Sequence, residues 1–164
     1  MPIIINNTIH RASSTWKHDT RKFGPQNALD TSSDAAWKSA PSSSDNDSLA
    51  YYEIYFNRPV IVHEMRIQFQ GGFVGMDCIV YKQKKKEQQN NKDWDEFEEM
   101  YIDPIDTTDV QTFPVDDIME SDDDDTDCCC SALRIEFGRS TDFYGRIVIY
   151  SLEVWGLEME METI

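Results

Sequence analysis

Hydrophobic and polar positions alternate most cleanly over residues 65–70, where Met65, Ile67 and Phe69 face one way and Arg66, Gln68 and Gln70 the other. That period of two is the mark of a half-buried strand. The run stops at Gly71 and Gly72, which allow positive φ, and Phe73 follows as a bulky apolar group that needs shelter. This predicts a central strand running into a tight bend at one end of a sheet. The pattern returns at Leu133, Ile135 and Phe137, with Gly138 ending the run, and the two strands suit one antiparallel sheet.

Other extended segments follow the same logic. Residues 49–56 alternate Ala50, Tyr52, Ile54 and Phe56 with Tyr51, Glu53 and Tyr55, then turn at Asn57, Arg58 and Pro59, and Val60 begins the run into the organising strand. Residues 3–5 and 78–81 give two short strands, and residues 110–115 a third in which Pro114 predicts an edge or a strand end. From Arg146 the chain is apolar on both faces at Ile147, Val148, Ile149 and Tyr150, which predicts a central strand. No amphipathic helical period intervenes. The fold class expected is all-β, a two-sheet antiparallel sandwich or jelly roll.

The remaining stretches read as loops. One runs to about Phe23 with Trp16 its only large apolar residue; a turn at Gly24 and Pro25 leads to an apolar anchor at Ala28 and Leu29; Asp30 is expected to accept backbone N–H groups of the bend that follows. Residues 40–48, rich in Pro, Ser and Asp, are expected to be exposed. Trp37 and Trp155 are assigned to the core. A single domain spans residues 1–157, with polar and acidic insertions at about 82–94 and 116–127 and an acidic Met/Glu tail at 158–164.

Charge sharpens this picture. The formal net charge is −16, and residues 93–127 hold sixteen acids and no Lys or Arg, so the rest of the chain is neutral. A neutral scaffold with an acidic region argues against direct nucleic-acid binding, which needs a basic face. The lysines at 82 and 84–86 lie in a Gln- and Asn-rich stretch and read as a solvated turn. Dense like charges at Asp122, Asp123, Asp124 and Asp125 predict a solvated loop, with a partner contact as the alternative. No window approaches ~18 continuous apolar residues, so no membrane span is expected. Cys128, Cys129 and Cys130 are consecutive and Cys78 stands apart, a pattern of neither a disulfide framework nor a zinc site. A reducing compartment, nucleus or cytoplasm, is the expected location, where the sequons at Asn6 and Asn46 carry no meaning.

Catalysis finds little support. His10, His18 and His63 are scattered, and no nucleophile signature, phosphate loop or metal-binding HExxH occurs. Asp142 and Arg146, four apart around Phe143, Tyr144 and Gly145, are expected to pair and close the loop before the last strand. Phe73, Phe143 and Tyr144 fall in strand-end loops, either as a binding surface or as plugs for the end of the sandwich.

Several segments also resemble a known family. The NALD of residues 27–30, Trp37 seven positions after Asp30, and the LEVWG of residues 152–156 are similar to the discoidin or coagulation-factor type C family, a galactose-binding-like β-sandwich. QFQGGF at 68–73, QTFP at 111–114 and STDFYGRIVIY at 140–150 resemble its small intracellular branch of nuclear receptor-associated proteins. The resemblance implies an interaction module with a corepressor-like role, and a non-catalytic monomer with no cofactor is expected. Its expected partner is another protein, a nuclear receptor or transcription regulator. Many sugar-binding members hold calcium, and Asp30 fits that pattern, but Ser32, Ala35 and Ser151 stand at the other ligand places. Calcium wants several carboxylates among six to eight oxygens, so no metal is expected. The alternative is a lectin-like module using Trp16 with His18 and Arg21.

Overall fold

A computed structural model describes residues 8–30, 35–41, 50–83, 100–115 and 130–158. Its strands are β1 (Ile9–Ala12), β2 (Trp37–Lys38), β3 (Ala50–Phe69), β4 (Gly75–Gln83), β5 (Met100–Ile102), β6 (Val110–Pro114), β7 (Cys130–Ser140) and β8 (Val148–Glu158), all paired antiparallel. The short strand expected at residues 3–5, residues 42–48 of the stretch expected to be exposed, most of the first insertion, all of the second, including Asp122, Asp123, Asp124 and Asp125, and all but the first residue of the expected tail lie outside the described residues.

The hydrogen-bonded path runs β2-β8-β3-β7-β4-β5, with β1 and β6 also on β3. One strand thus serves both layers. Ala50 to Tyr55 pairs with β1 and β7, whereas Val60 to Phe69 pairs with β8 and β6. A straight strand of its 20 residues would span roughly 65 Å. Instead Phe137, the register partner of Ala50, lies with its ring 6.3 Å from that of Phe69 at the other end. The segment therefore folds back on itself at Asn57, whose φ is +60°, where the register slips between Tyr55 and Val60. The turn expected at Asn57, Arg58 and Pro59 is present as this reversal, and the extended geometry continues through it.

The layer of β1, β7, β4 and β5 with the first half of β3 meets the layer of β2, β8 and β6 with its second half. Alternate side chains fill the space between, including Trp37, Tyr52, Phe56, Phe69 and Phe137, each 2 % exposed or less. Trp37 lies edge-on to Tyr52 at 5.3 Å and is tilted against Phe137 at 6.1 Å. Such arrangements suit aromatic quadrupoles. The apolar alternation that predicted an all-β antiparallel sandwich describes this architecture.

Two expectations need correction. The stretch to Phe23 is not one loop: Trp16–His18 makes a 3-10 turn, and Thr20–Phe23 (α1) and Gln26–Leu29 (α2) make single helical turns. Asp19 starts α1 by accepting from Lys22 N at 3.1 Å. Four residues are too few to carry a helical hydrophobic period, so no pattern announced them. Trp155 is not in the core but half-buried on the outer face of β8. There its Nε1 donates to Glu153 at 3.0 Å, and the Arg66 guanidinium covers its ring at 4.2 Å. Its register partner Glu64 is likewise on the outer face.

The pairing also gives the sandwich two ends. The bend at residues 70–73, the start of β8 and the end of β7 lie together at one, the rim. Gln83, Val115, Cys130 and Glu158 lie toward the other, as the pairing of Gln83 with Ala132, the bond from Val115 N to His63 O, and the pairing of Cys130 and Glu158 with Val60 require.

Candidate functional site

The bend after β3 closes with Phe73 N donating to Gln70 O at 2.9 Å, and Gly72 supplies the needed positive φ of +87°. A third loop clamps it. Gly71 N donates to Thr108 Oγ1 at 2.9 Å and Gly72 N to Asp106 Oδ1 at 2.8 Å. On its other side Val148 N donates to Phe73 O at 3.1 Å, and Val74 N to Thr141 Oγ1 at 2.9 Å. Phe73 is thereby fixed on a backbone whose polar groups are satisfied from three directions.

The β7–β8 loop is built around Asp142. Its Oδ2 accepts from Arg146 N at 3.1 Å and Arg146 Nε at 2.8 Å, while Oδ1 accepts from the Arg146 guanidinium at 3.2 Å. These bonds from Arg146 hold the Asp142 carboxyl below the usual carboxylate range, against the opposing effect of desolvation. Asp142 N donates to Ser140 Oγ at 3.0 Å, which in turn donates to Arg146 O at 2.6 Å. Gly145, at φ +78°, completes the turn. The loop is cross-braced by these bonds, and at its tip Phe143 is 93 % exposed and Tyr144 60 %. Their rings meet edge to face at 5.3 Å.

Arg146 links this tip to the rest of the rim. Its guanidinium carbon lies 5.2 Å from the Phe73 ring centre, 5.4 Å from Trp16 and 5.4 Å from Tyr144. Lys38 Nζ sits 4.7 Å over Trp16 and 5.7 Å from Phe23. Trp16 is placed by the 3-10 turn, where Lys17 and His18 adopt positive φ of 54° and 55°. Trp37 Nε1 anchors that segment by donating to Ser14 O at 3.1 Å, and Tyr52 OH anchors α2 by donating to Pro25 O at 2.6 Å.

The structure thus brings together Phe73, Tyr144, Asp142 and Arg146, with Phe143 projecting beside them. Of the trio weighed for sugars, Trp16 joins the cluster while His18 and Arg21 are exposed around it. Lys38 and Phe23 were not anticipated at the site. The one available signal was that Lys38 follows Trp37 on a strand, and so points away from the core that Trp37 enters. Among the described residues no group of three or more His, Cys, Asp or Glu could hold a metal ion. Ala35 offers no side-chain oxygen, and Ser32 lies outside the described residues. His10 and His63 occupy different layers from one another, and burial lowers the His10 pKa.

No protein-family model matches the chain. Among solved structures, the F5/8 type C domain of a Bacteroides fragilis protein superposes with a TM-score of 0.65, at 12 % identity over 93 % of each chain. Chitosan-binding module 1 from Paenibacillus sp. IK-5 gives 0.65, at 13 % identity, covering 95 % of this chain and 100 % of that one. A fucolectin from Morone saxatilis gives 0.66, at 10 % identity, covering 96 % of this chain and 50 % of that one. Identities this low speak for the fold alone, a galactose-binding-like sandwich. Sequence relatives are nearer. Nuclear receptor 2C2-associated protein of Danio rerio is 31 % identical over 154 residues, 94 % of each chain. The Bos taurus protein of that name is 30 % identical over 158 residues, 96 % of this chain and 97 % of that one. The Homo sapiens protein is 29 % identical over 155 residues, 94 % of this chain and 95 % of that one. The chain belongs to the nuclear receptor 2C2-associated protein family, built on the F5/8 type C sandwich.

Proposed function

We propose that this protein is a non-catalytic interaction module that docks onto a nuclear receptor or another transcription regulator through its rim, acting as a monomer in the nucleus, the cytoplasm or both. A corepressor-like role goes with that partner. The observation that carries the reading is the tip of the β7–β8 loop: Phe143 is 93 % exposed on a backbone immobilised by Asp142, Ser140 and Arg146. A large ring held in water on a stiff support resembles an interface anchor, because little entropy remains to be lost on binding. Kinship with proteins named for association with a nuclear receptor supplies the class of partner.

Calorimetry of the purified chain against purified nuclear receptor 2C2 tests this. Binding is expected, and Phe143→Ala is expected to weaken it by about thirtyfold, the effect of removing an anchor worth about 2 kcal/mol. Absence of binding to the receptor, or equal affinity for Phe143→Ala, overturns the reading. So does sugar-competable binding on a glycan array in place of receptor binding.

A further inference from the structure

Among the described residues, Arg146 and Lys38 are half-buried cations at the rim, and only Arg146 meets a carboxylate there. Arg146 has Asp142, which occupies both Nε and one terminal nitrogen of its fork. Lys38 has only rings. Its ammonium lies over Trp16 and near Phe23, with Phe73 at 6.0 Å, and among the described residues no carboxylate comes within ion-pairing distance of it. Among the described residues, the carboxylates that face the bend and the loop are engaged, Asp106 by the Gly72 amide and Asp142 by Arg146.

Nor is Lys38 a freely waving surface lysine. It is half-buried and opposes Val148 in the β2–β8 pairing. It sits between Trp37, fully buried, and Ser39, fully buried, whose Oγ accepts from Ile147 N at 2.8 Å. A partly desolvated ammonium recovers only part of its lost hydration from aromatic faces, and an anion would supply the rest. Two features define that anion. One charge without a carboxylate partner among the described residues matches a monoanion, and the fork that would grip a phosphate is already taken by Asp142. The described ends that flank the acidic insertions, Gln83, Met100, Val115 and Cys130, lie toward the other end of the sandwich, so those insertions attach away from this cation.

Taking the rim as the docking face proposed above, we infer that its partner presents an acidic segment, in which one Asp or Glu carboxylate pairs with Lys38 Nζ and a neighbouring apolar side chain covers Phe143. The carboxylate gives orientation and salt dependence; the apolar residue gives contact area. Lys38 is a positioning cation for the partner and takes part in no reaction.

The test uses an array of short peptides that intersperse Asp or Glu with Leu and Phe, each beside a twin carrying Asn or Gln and a twin carrying phosphoserine at the acidic places. The full chain is the probe. The tightest acidic peptide is then titrated by fluorescence anisotropy against wild type, Lys38→Met, Lys38→Arg and Phe143→Ala, each checked for an unchanged melting curve. Acidic members are expected to bind and their amide twins to fail. Lys38→Met should weaken the acidic peptide about tenfold, Lys38→Arg should stay within about threefold, and affinity should fall as salt rises. No bound acidic member, equal binding of the amide twins, or tighter binding of the phosphoserine twins overturns the inference. If Phe143→Ala weakens binding and Lys38→Met does not, the rim remains the docking face and the acidic partner is rejected. If neither matters, both readings fall.

Discussion

Gly75→Ala should destabilise the protein by about 3 kcal/mol, the upper end of what overpacking costs. The residue is buried at the start of β4, opposite Ser140, and its φ is not in the left-handed region, so the effect is steric and not conformational. A Cβ there would stand 2.3 Å from Phe137 Cδ1, 2.9 Å from Cγ and 3.0 Å from Cε1. Comfortable carbon contacts lie at about 3.5–4.0 Å, so the ring must retreat by more than about 1 Å. It has nowhere to go, with Trp37 at 6.1 Å and Phe69 at 6.3 Å between ring centres. Urea unfolding, with a slope of about 2 kcal/mol per M, should show a midpoint about 1.5 M lower. Phe137→Leu removes the obstructing ring edge, and the double mutant should recover about 1–2 kcal/mol relative to the sum of the single changes. A midpoint for Gly75→Ala within about 0.25 M of wild type, or strict additivity, would refute this account of the close approach between β4 and the core.

Three further outcomes follow from the same geometry. Tyr52→Phe removes the donor to Pro25 O, yet that oxygen still accepts from Ala28 N at 3.2 Å, so the cost should be only about 1 kcal/mol, seen by calorimetry as a fall in Tm of about 2–4 °C; a loss above about 3 kcal/mol would contradict the shared acceptor. Asp142 has a folded pKa below its ordinary 3.8, so its contribution is present above that value and lost as pH falls through the folded pKa. Asp142→Asn should therefore lower the melting temperature at neutral pH and flatten the acid limb of stability against pH, and parallel wild-type and mutant limbs would rule this out. Cys78 is fully buried, and burial first, then the charges of Asp77 and Asp103, push its thiol up to about 12. Peptide mapping after iodoacetamide treatment at neutral pH should find Cys78 unmodified in the native protein, whereas labelling as fast as in urea would show that the core opens.

The strands were legible because each is a local, repetitive signal. Met65, Ile67 and Phe69 enter the core, and the same holds for Leu133, Ile135 and Phe137. The Gly71–Gly72 break was equally readable, though only Gly72 adopts positive φ. Trp155 misled because a tryptophan in an apolar strand reads as core, whereas alternation turned it outward, beneath an arginine 89 positions earlier in sequence that no periodicity could supply. The short helices were silent for want of length.

For the candidate site, residues 140–146 announced a closed loop by themselves, since Asp142 and Arg146 lie within reach along the chain. Lys38 was invisible. Its significance depends on Trp16, Phe23 and Phe73 converging on it, and that convergence is created by bonds such as the one from Ile147 N to Ser39 Oγ, 108 residues apart. Side-chain alternation is written one residue at a time and determined which segments would be extended and which faces apolar. Which loop ends meet, and which rings gather around Lys38 there, arises only when the reversal at Asn57 sets one layer over the other, because long-range register is a property of the packed pair and not of either strand.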